Sequence, residues 1–178
     1  MPIALQVVSY LLRYPTRDLT DDLMDIRAFC AEMEPKEAQE HLAVFLKELE
    51  ERDIDQIIDH YIHHFDFGRL TNLYVSYLKL GEQRERGLEL LKLKMIYEAY
   101  GFTPTEEELP DYLPLLLEFC AYAPEAARKE VLEMHGKAIN EIRSKLREEG
   151  SYYAALLDAL FCLMEQEGIA WEPEEKAG

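Results

Sequence analysis

Apolar residues recur at three- and four-residue spacing along most of this chain, and convincing period-two alternation is absent. That pattern restricts the fold to amphipathic helices burying their apolar faces against one another. Ile54, Ile57, Ile58, Tyr61, Ile62 and Phe65 make one such face, and Leu42, Phe45, Leu46 and Leu49 make another. Leu88, Leu91, Met95 and Ala99 line a third, Leu132, His135, Ile139, Ile142 and Leu146 a fourth, and Leu156, Ala159, Leu160 and Leu163 a fifth. Each is read as a core face.

The punctuation divides the chain into nine predicted helices, near 2–13, 20–33, 35–51, 53–66, 70–80, 82–100, 111–122, 124–149 and 151–167. Tyr14-Pro15 stops the first, because a residue before proline avoids the α region. Thr20, followed by Asp21 and Asp22, is read as an N-cap with acids in the first turn. Pro35 and Pro124 suit first turns, and Gly81, Gly101 and Gly150 suit turns or helix ends. The expected fold is a single-domain, all-α bundle spanning residues 1–170, with short connections. A polar tail, 171–178, is expected to fray.

Charge limits the partners. The chain of 178 residues has 19 Lys and Arg against 36 Asp and Glu, a net −17. Such a field repels phosphate backbones and anionic lipid, and it speeds encounter with basic partners. Nucleic acid and stable membrane insertion are therefore not expected, and every apolar run is broken well short of a span. The N-terminus lacks the pattern of a secretory signal. Cys30, Cys120 and Cys162 are widely spaced in apolar surroundings, as small core residues of a reducing, cytoplasmic compartment would be.

Little here looks catalytic. His60 and His64 are one helical turn apart, with His63, Asp59 and Asp66 beside them, so two rings could share a metal. No third ligand is evident, and ordinary boundary histidines are the simpler reading. A metal-dependent hydrolase using His60 and His64 is kept as the alternative function. A phosphate-binding glycine loop, a dinucleotide fingerprint, paired cysteine motifs and a glycine-flanked nucleophilic serine are all absent from the sequence.

Two connections stand out. Residues 66–70 interrupt a helical pattern, and residues 101–111 form the longest loop. Asp66 at its helix end could cap the next helix or receive a basic partner group. Pro110 and Pro114 bracket Asp111-Tyr112-Leu113 and stiffen the entry to the helix that follows. Glu118 then falls inside an apolar run, where it either faces solvent or pairs with a buried cation such as Arg84 or Arg86. Gly87 inside a helix costs about 1 kcal/mol relative to alanine, which suggests a close helix crossing.

Taken in order, these residues resemble the nitrate reductase delta-subunit family, the NarJ-type molybdenum cofactor assembly chaperones. The resemblance runs from Tyr61, Phe65 and Asp66 through Gly81, Arg84, Arg86 and Gly87. It continues through Tyr97 and Gly101 to the block Glu108-Leu-Pro110-Asp111-Tyr112-Leu-Pro114-Leu-Leu-Leu-Glu118-Phe119. It implies a cytoplasmic chaperone without cofactor or catalysis. Such a protein binds the N-terminal segment of a nitrate reductase catalytic subunit until molybdenum cofactor is inserted, with cofactor-delivery proteins as further partners. A related molybdenum oxidoreductase is the alternative client. An apolar groove seating an amphipathic peptide helix fits that role. The expected border of the groove is Tyr61, Phe65, Asp66, Arg69, Tyr74, Glu108, Asp111 and Tyr112, with core packing an equal alternative for Tyr61 and Phe65. The long acidic tail of many family members is reduced here to Glu172–Glu175.

Overall fold

The computed structural model describes residues 1–77 and 84–171. Among them lie eight α-helices and no strand: α1 Pro2–Leu12, α2 Asp18–Ala31, α3 Lys36–Glu50, α4 Ile54–Tyr61, α5 Arg84–Ala99, α6 Leu113–Tyr122, α7 Glu125–Glu148 and α8 Tyr153–Gln166. The fold is all-α, as the periodicity requires.

Local chemistry sets most boundaries. Pro2 stands in the first turn of α1, where its missing N–H leaves no gap in the ladder. Pro15 then keeps the chain from continuing. A reciprocal capping box opens α4: the Gln56 amide donates to Asp53 Oδ1 at 2.9 Å, and the Asp53 amide donates to Gln56 Oε1 at 3.1 Å. Gly101 and Gly150 leave their helices with φ of 77° and 71°, a backbone shape that a Cβ disfavours.

α8 is the centre of the bundle, with Tyr153, Leu156, Leu157, Leu160, Phe161 and Met164 all buried. It packs against α3, α7 and α1, while α1 also packs along α6 and α2 covers α3. Each fully buried Leu or Phe of this core contributes about 1.5–3 kcal/mol. Cys30 and Cys120 are small members of it and Cys162 is half-buried; all three are free thiols. Burial pushes the Cys30 thiol up to about 11, so it stays protonated and inert.

Several expectations need correction. The helix over 70–80 is not formed at residues 70–76, which are turns and one isolated bridge; residues 78–80 lie outside the described ones. Asn72 diverts the backbone there, its Oδ1 accepting from the Tyr74 amide at 3.1 Å. The last five residues of the fourth predicted helix, Ile62–Asp66, wind as a π-turn. α2 starts at Asp18, so Thr20 lies inside it and is not its cap. Pro35 and Pro124 stand one residue ahead of their helices.

α5 buries a different face from the one the spacing predicts. Leu88, Leu91 and Met95 are 62%, 54% and 61% exposed, and Leu93 and Tyr97 are the residues that α5 buries. A helix reading Leu-Glu-Leu-Leu-Lys-Leu-Lys-Met-Ile-Tyr is apolar on nearly every side, so periodicity does not single out the buried one. Gly87 is exposed, and a Cβ there would meet nothing within 4 Å among the described residues, so it marks no crossing with them. The close approach is at Gly136, where a Cβ would lie 2.5 Å from Trp171 Cβ. Trp171 is thereby docked, with its ring 4.9 Å from Phe161, and is not frayed; residues 172–178 lie outside the described ones. Gly81 lies outside them also.

Candidate functional site

A furrow runs between the end of α1, the π-turn and the long connection into α6. Its largest hollow, about 550 Å³, is lined by Arg13, Tyr14, Phe102, Pro104, Glu107, Glu108, Tyr112, Leu115 and Glu118, with Thr103 and Thr105. A smaller hollow of about 170 Å³ adjoins it through Tyr14, Glu108 and Tyr112, and adds Tyr61, Phe65, Asp66, Leu73 and Tyr74. A third, about 160 Å³, opens beyond Arg13 and Glu118 between α1 and Tyr122.

One short bridge holds the walls together. The Val75 amide donates to the Asp111 carbonyl at 3.1 Å, and the Leu113 amide donates to the Leu73 carbonyl at 2.8 Å, so Tyr74 and Tyr112 lie opposite each other. The Asp111 side chain fastens the same seam. It is fully buried, and its Oδ2 accepts from the Ser76 amide at 3.1 Å and the Ser76 hydroxyl at 2.6 Å. Arg86 Nη2 approaches the same oxygen at 3.4 Å, while Oδ1 has no partner among the described residues. Tyr97 adds a bond from its hydroxyl to the Pro110 carbonyl at 2.7 Å.

The other wall comes from the π-turn. Winding one residue more per turn re-aims Phe65 and Asp66, and π-turns are frequent at functional sites. Thr71 caps the turn by donating its hydroxyl to the His64 carbonyl. Gly68 passes so close to that carbonyl and to Thr71 that a Cβ has no room.

Of the predicted border residues, the furrow brings together Tyr61, Phe65, Asp66, Tyr74, Glu108 and Tyr112, and of these Tyr61 and Phe65 are also core residues, 3% and 6% exposed, forming its floor. Asp111 is directly behind them, buried, and its carboxylate does not reach the furrow surface. Arg69 is exposed and lines none of the three hollows. Arg86 is the cation of Asp111, and Arg84 is exposed at the start of α5. Pro110 and Pro114 set the path of the chain into α6, and Phe119 is core, 4.5 Å from the Tyr97 ring. Glu118 pairs with Arg13 at 2.6 Å in a half-exposed bridge, and not with Arg84 or Arg86. The sequence reading missed Arg13, Tyr14, Phe102 and Leu115. Arg13 and Tyr14 did carry a signal, as part of the opening Leu11-Leu12-Arg13-Tyr14-Pro15, which resembles the family more loosely than the rest.

Carboxylates dominate the furrow. Arg13 is committed to Glu118, and Asp66, Glu107 and Glu108 have no ion-pair partner among the described residues. Burial is the main reason the Tyr61 and Tyr112 hydroxyls resist ionisation, and the negative charge of Asp66 adds to it in both. The Tyr74 hydroxyl, raised first by burial, donates to Glu108 at 2.7 Å.

The histidines are spent elsewhere. His60 Nε2 is 2.7 Å from the Ser151 hydroxyl, its ring stacked 4.1 Å from Tyr152, and His64 Nδ1 is 2.7 Å from Glu149 Oε2. Burial first, then His64, Arg52 and His63, push His60 down to about 4. Among the described residues no group of three or more His, Cys, Asp or Glu is placed to hold a metal ion.

Known proteins are similar to this chain in sequence. The model of the nitrate reductase delta subunit family matches residues 31–159. The probable nitrate reductase molybdenum cofactor assembly chaperone NarJ of Bacillus subtilis (strain 168) is 42% identical over 167 residues, covering 94% of this chain and 91% of that protein. The nitrate reductase molybdenum cofactor assembly chaperone NarJ of Escherichia coli (strain K12) is 34% identical over 163 residues, 90% of this chain and 69% of that one. The probable assembly chaperone NarW of the same strain is 35% identical over 99 residues, 56% of this chain and 43% of its own length.

Proposed function

The chain belongs to the nitrate reductase delta-subunit family, and on that basis we propose that it is a nitrate reductase maturation chaperone that holds the N-terminal segment of the catalytic subunit in the furrow. It acts in the cytoplasm, as one domain over residues 1–170, and keeps the apoenzyme open to molybdenum cofactor insertion and membrane assembly. It is a chaperone and not a catalyst, as its relatives are assembly chaperones. Cofactor-delivery proteins meet the complex that it forms.

The furrow itself is the observation that carries this reading. Three adjoining hollows, walled by aromatics and rimmed by carboxylates, make an elongated trough and not a closed pocket for a small substrate. A trough of this kind takes the apolar face of a short helix, and its acids favour basic residues on that helix. Among the described residues no helix is long and apolar enough to cross a membrane.

The test is calorimetric titration with a synthetic peptide spanning the N-terminus of the organism's own nitrate reductase catalytic subunit. Saturable one-to-one binding, weakened by salt, is expected. Folded protein that shows no saturable binding sinks the assignment of this client and turns the search to another molybdenum oxidoreductase.

A further inference from the structure

The smaller hollow of the furrow has a chemistry of its own. Two aromatic pairs wall it. Tyr14 stands edge-on to Tyr61, with ring centres 5.5 Å apart, and Tyr74 lies 5.4 Å from Tyr112. The pairs meet where the Tyr61 and Tyr112 hydroxyls come within 3.4 Å of each other. Asp66 and Glu108 complete the lining. At about 170 Å³ the hollow is smaller than the roughly 300 Å³ at which pockets for small-molecule ligands begin. Its volume suits one side-chain head group.

Ring faces and carboxylates share a preference. The face of a tyrosine ring is negative and attracts a cation within about 6 Å of its centre, most strongly when water is excluded. Both acids lack a cationic partner among the described residues, although Arg27, Arg52 and Arg128 elsewhere are all paired. An apolar side chain placed here would gain nothing from the two acids. An anion would be repelled by them.

We propose that this hollow is a cation cage, built to receive a single guanidinium or ammonium group from the bound peptide, between Tyr14, Tyr61, Tyr74 and Tyr112 and against Asp66 and Glu108. The larger hollow then takes the apolar face of the peptide, and the caged cation fixes its register and direction. Only the source of the cation rests on the client reading above; the preference of the cage for a cation does not.

The test is a double-mutant cycle on the full chain. Each Lys and Arg of the client peptide is replaced by Gln in turn, and each peptide is titrated against wild type, Asp66→Asn and Tyr14→Leu. Both protein positions are exposed enough to leave the fold intact. Asp25→Asn, an exposed acid outside the furrow, controls for the general field. One peptide position is expected to lose about tenfold in affinity. With that position already Gln, Asp66→Asn and Tyr14→Leu should cost little more, while Asp25→Asn should not couple with it at all. A peptide that binds, yet shows no basic position coupled to Asp66 or Tyr14, overturns the cage and leaves the client reading standing. A peptide that does not bind moves the test to methylguanidinium. That probe should then shift the ring resonances of these four tyrosines in wild type and not in Asp66→Asn, so the cage survives and the client assignment fails. Absence of those shifts overturns the cage.

Discussion

Asp111→Ala is expected to be among the most damaging single changes outside the apolar core. Three donors converge on its Oδ2: the Ser76 amide at 3.1 Å, the Ser76 hydroxyl at 2.6 Å and Arg86 Nη2 at 3.4 Å. Truncation leaves two buried polar groups and a guanidinium whose side chain is only 14% exposed without their acceptor. Each stranded group costs about 1–3 kcal/mol, and breaking a buried ion pair from one side costs about 3–5 kcal/mol. The loss is partly offset, because Oδ1 is already buried without a partner among the described residues and disappears with the side chain. The long Arg86 contact also contributes less than an ideal pair. We expect about 3–4 kcal/mol, and at roughly 2–4 °C per kcal/mol a fall in Tm of about 6–16 °C.

Urea unfolding followed by far-UV circular dichroism measures it. Asp111→Asn keeps an acceptor for Ser76 and should recover about half of the loss. Combining it with Arg86→Met should cost less than the sum of the two single changes, by about 0.5 kcal/mol or more, because the second removes a cation that the first had stranded. A loss below about 1 kcal/mol for Asp111→Ala at unchanged m-value, or strict additivity in the cycle, would refute the assignment of Asp111 as the fastener of this seam.

Further outcomes follow from the packing. Leu91→Glu should change stability by no more than about 0.5 kcal/mol, whereas Leu93→Ala, two residues on and fully buried, should cost about 2–5 kcal/mol; the reverse order would mean α5 is turned about its axis. Gly136→Ala should push the Trp171 segment off α7, shifting emission of the single tryptophan to the red and costing about 1–3 kcal/mol; unchanged emission would show that Trp171 does not rest there. His60 titrates near 4 in the folded chain and near 6.5 when unfolded, so the unfolded state takes up its proton first on acidification. Stability should therefore fall as pH drops from 6.5 towards 4, and His60→Gln should flatten that slope in urea titrations at stepped pH. An identical slope in the variant would assign the acid sensitivity to other groups.

Helix existence was legible because it depends on spacing within about four residues, and faces such as Leu42, Phe45, Leu46 and Leu49 have one apolar side only. α5 shows where that logic runs out: with apolar residues all round, the buried side is chosen by what packs against it, and that information lies in α6 and α7. The same limit hid the site. Glu118 finds Arg13 across 105 residues, and Asp111 finds Ser76 across 35, so neither partner could be read from its neighbourhood. The π-turn at Ile62–Asp66 looked like ordinary helix because its composition is helical. Its extra residue is stabilised from outside, by Thr71 on the His64 carbonyl and by the space that Gly68 leaves. Tyr61, Phe65, Asp66, Glu108 and Tyr112 are nonetheless legible as a group, because all five belong to the ordered set that carries the family resemblance; Tyr74 does not.

In the proposed complex, charge and shape would divide the work of recognition between them. A net charge of −17 draws any basic segment towards the protein, but it acts on all such segments alike and is screened beyond about 8 Å at physiological ionic strength. It cannot therefore choose a register. Selection has to come from groups that the bound cation touches after water has left, and the four tyrosines of the small hollow offer such contacts beside two acids. The two contributions separate kinetically. Added salt should slow association and leave dissociation nearly unchanged, whereas Tyr14→Leu should speed dissociation and leave association nearly unchanged. Stopped-flow measurement with a labelled peptide distinguishes them. If salt and Tyr14→Leu both act on association alone, the tyrosines are scenery for a purely long-range attraction, and the furrow holds its peptide by the apolar face without a caged charge.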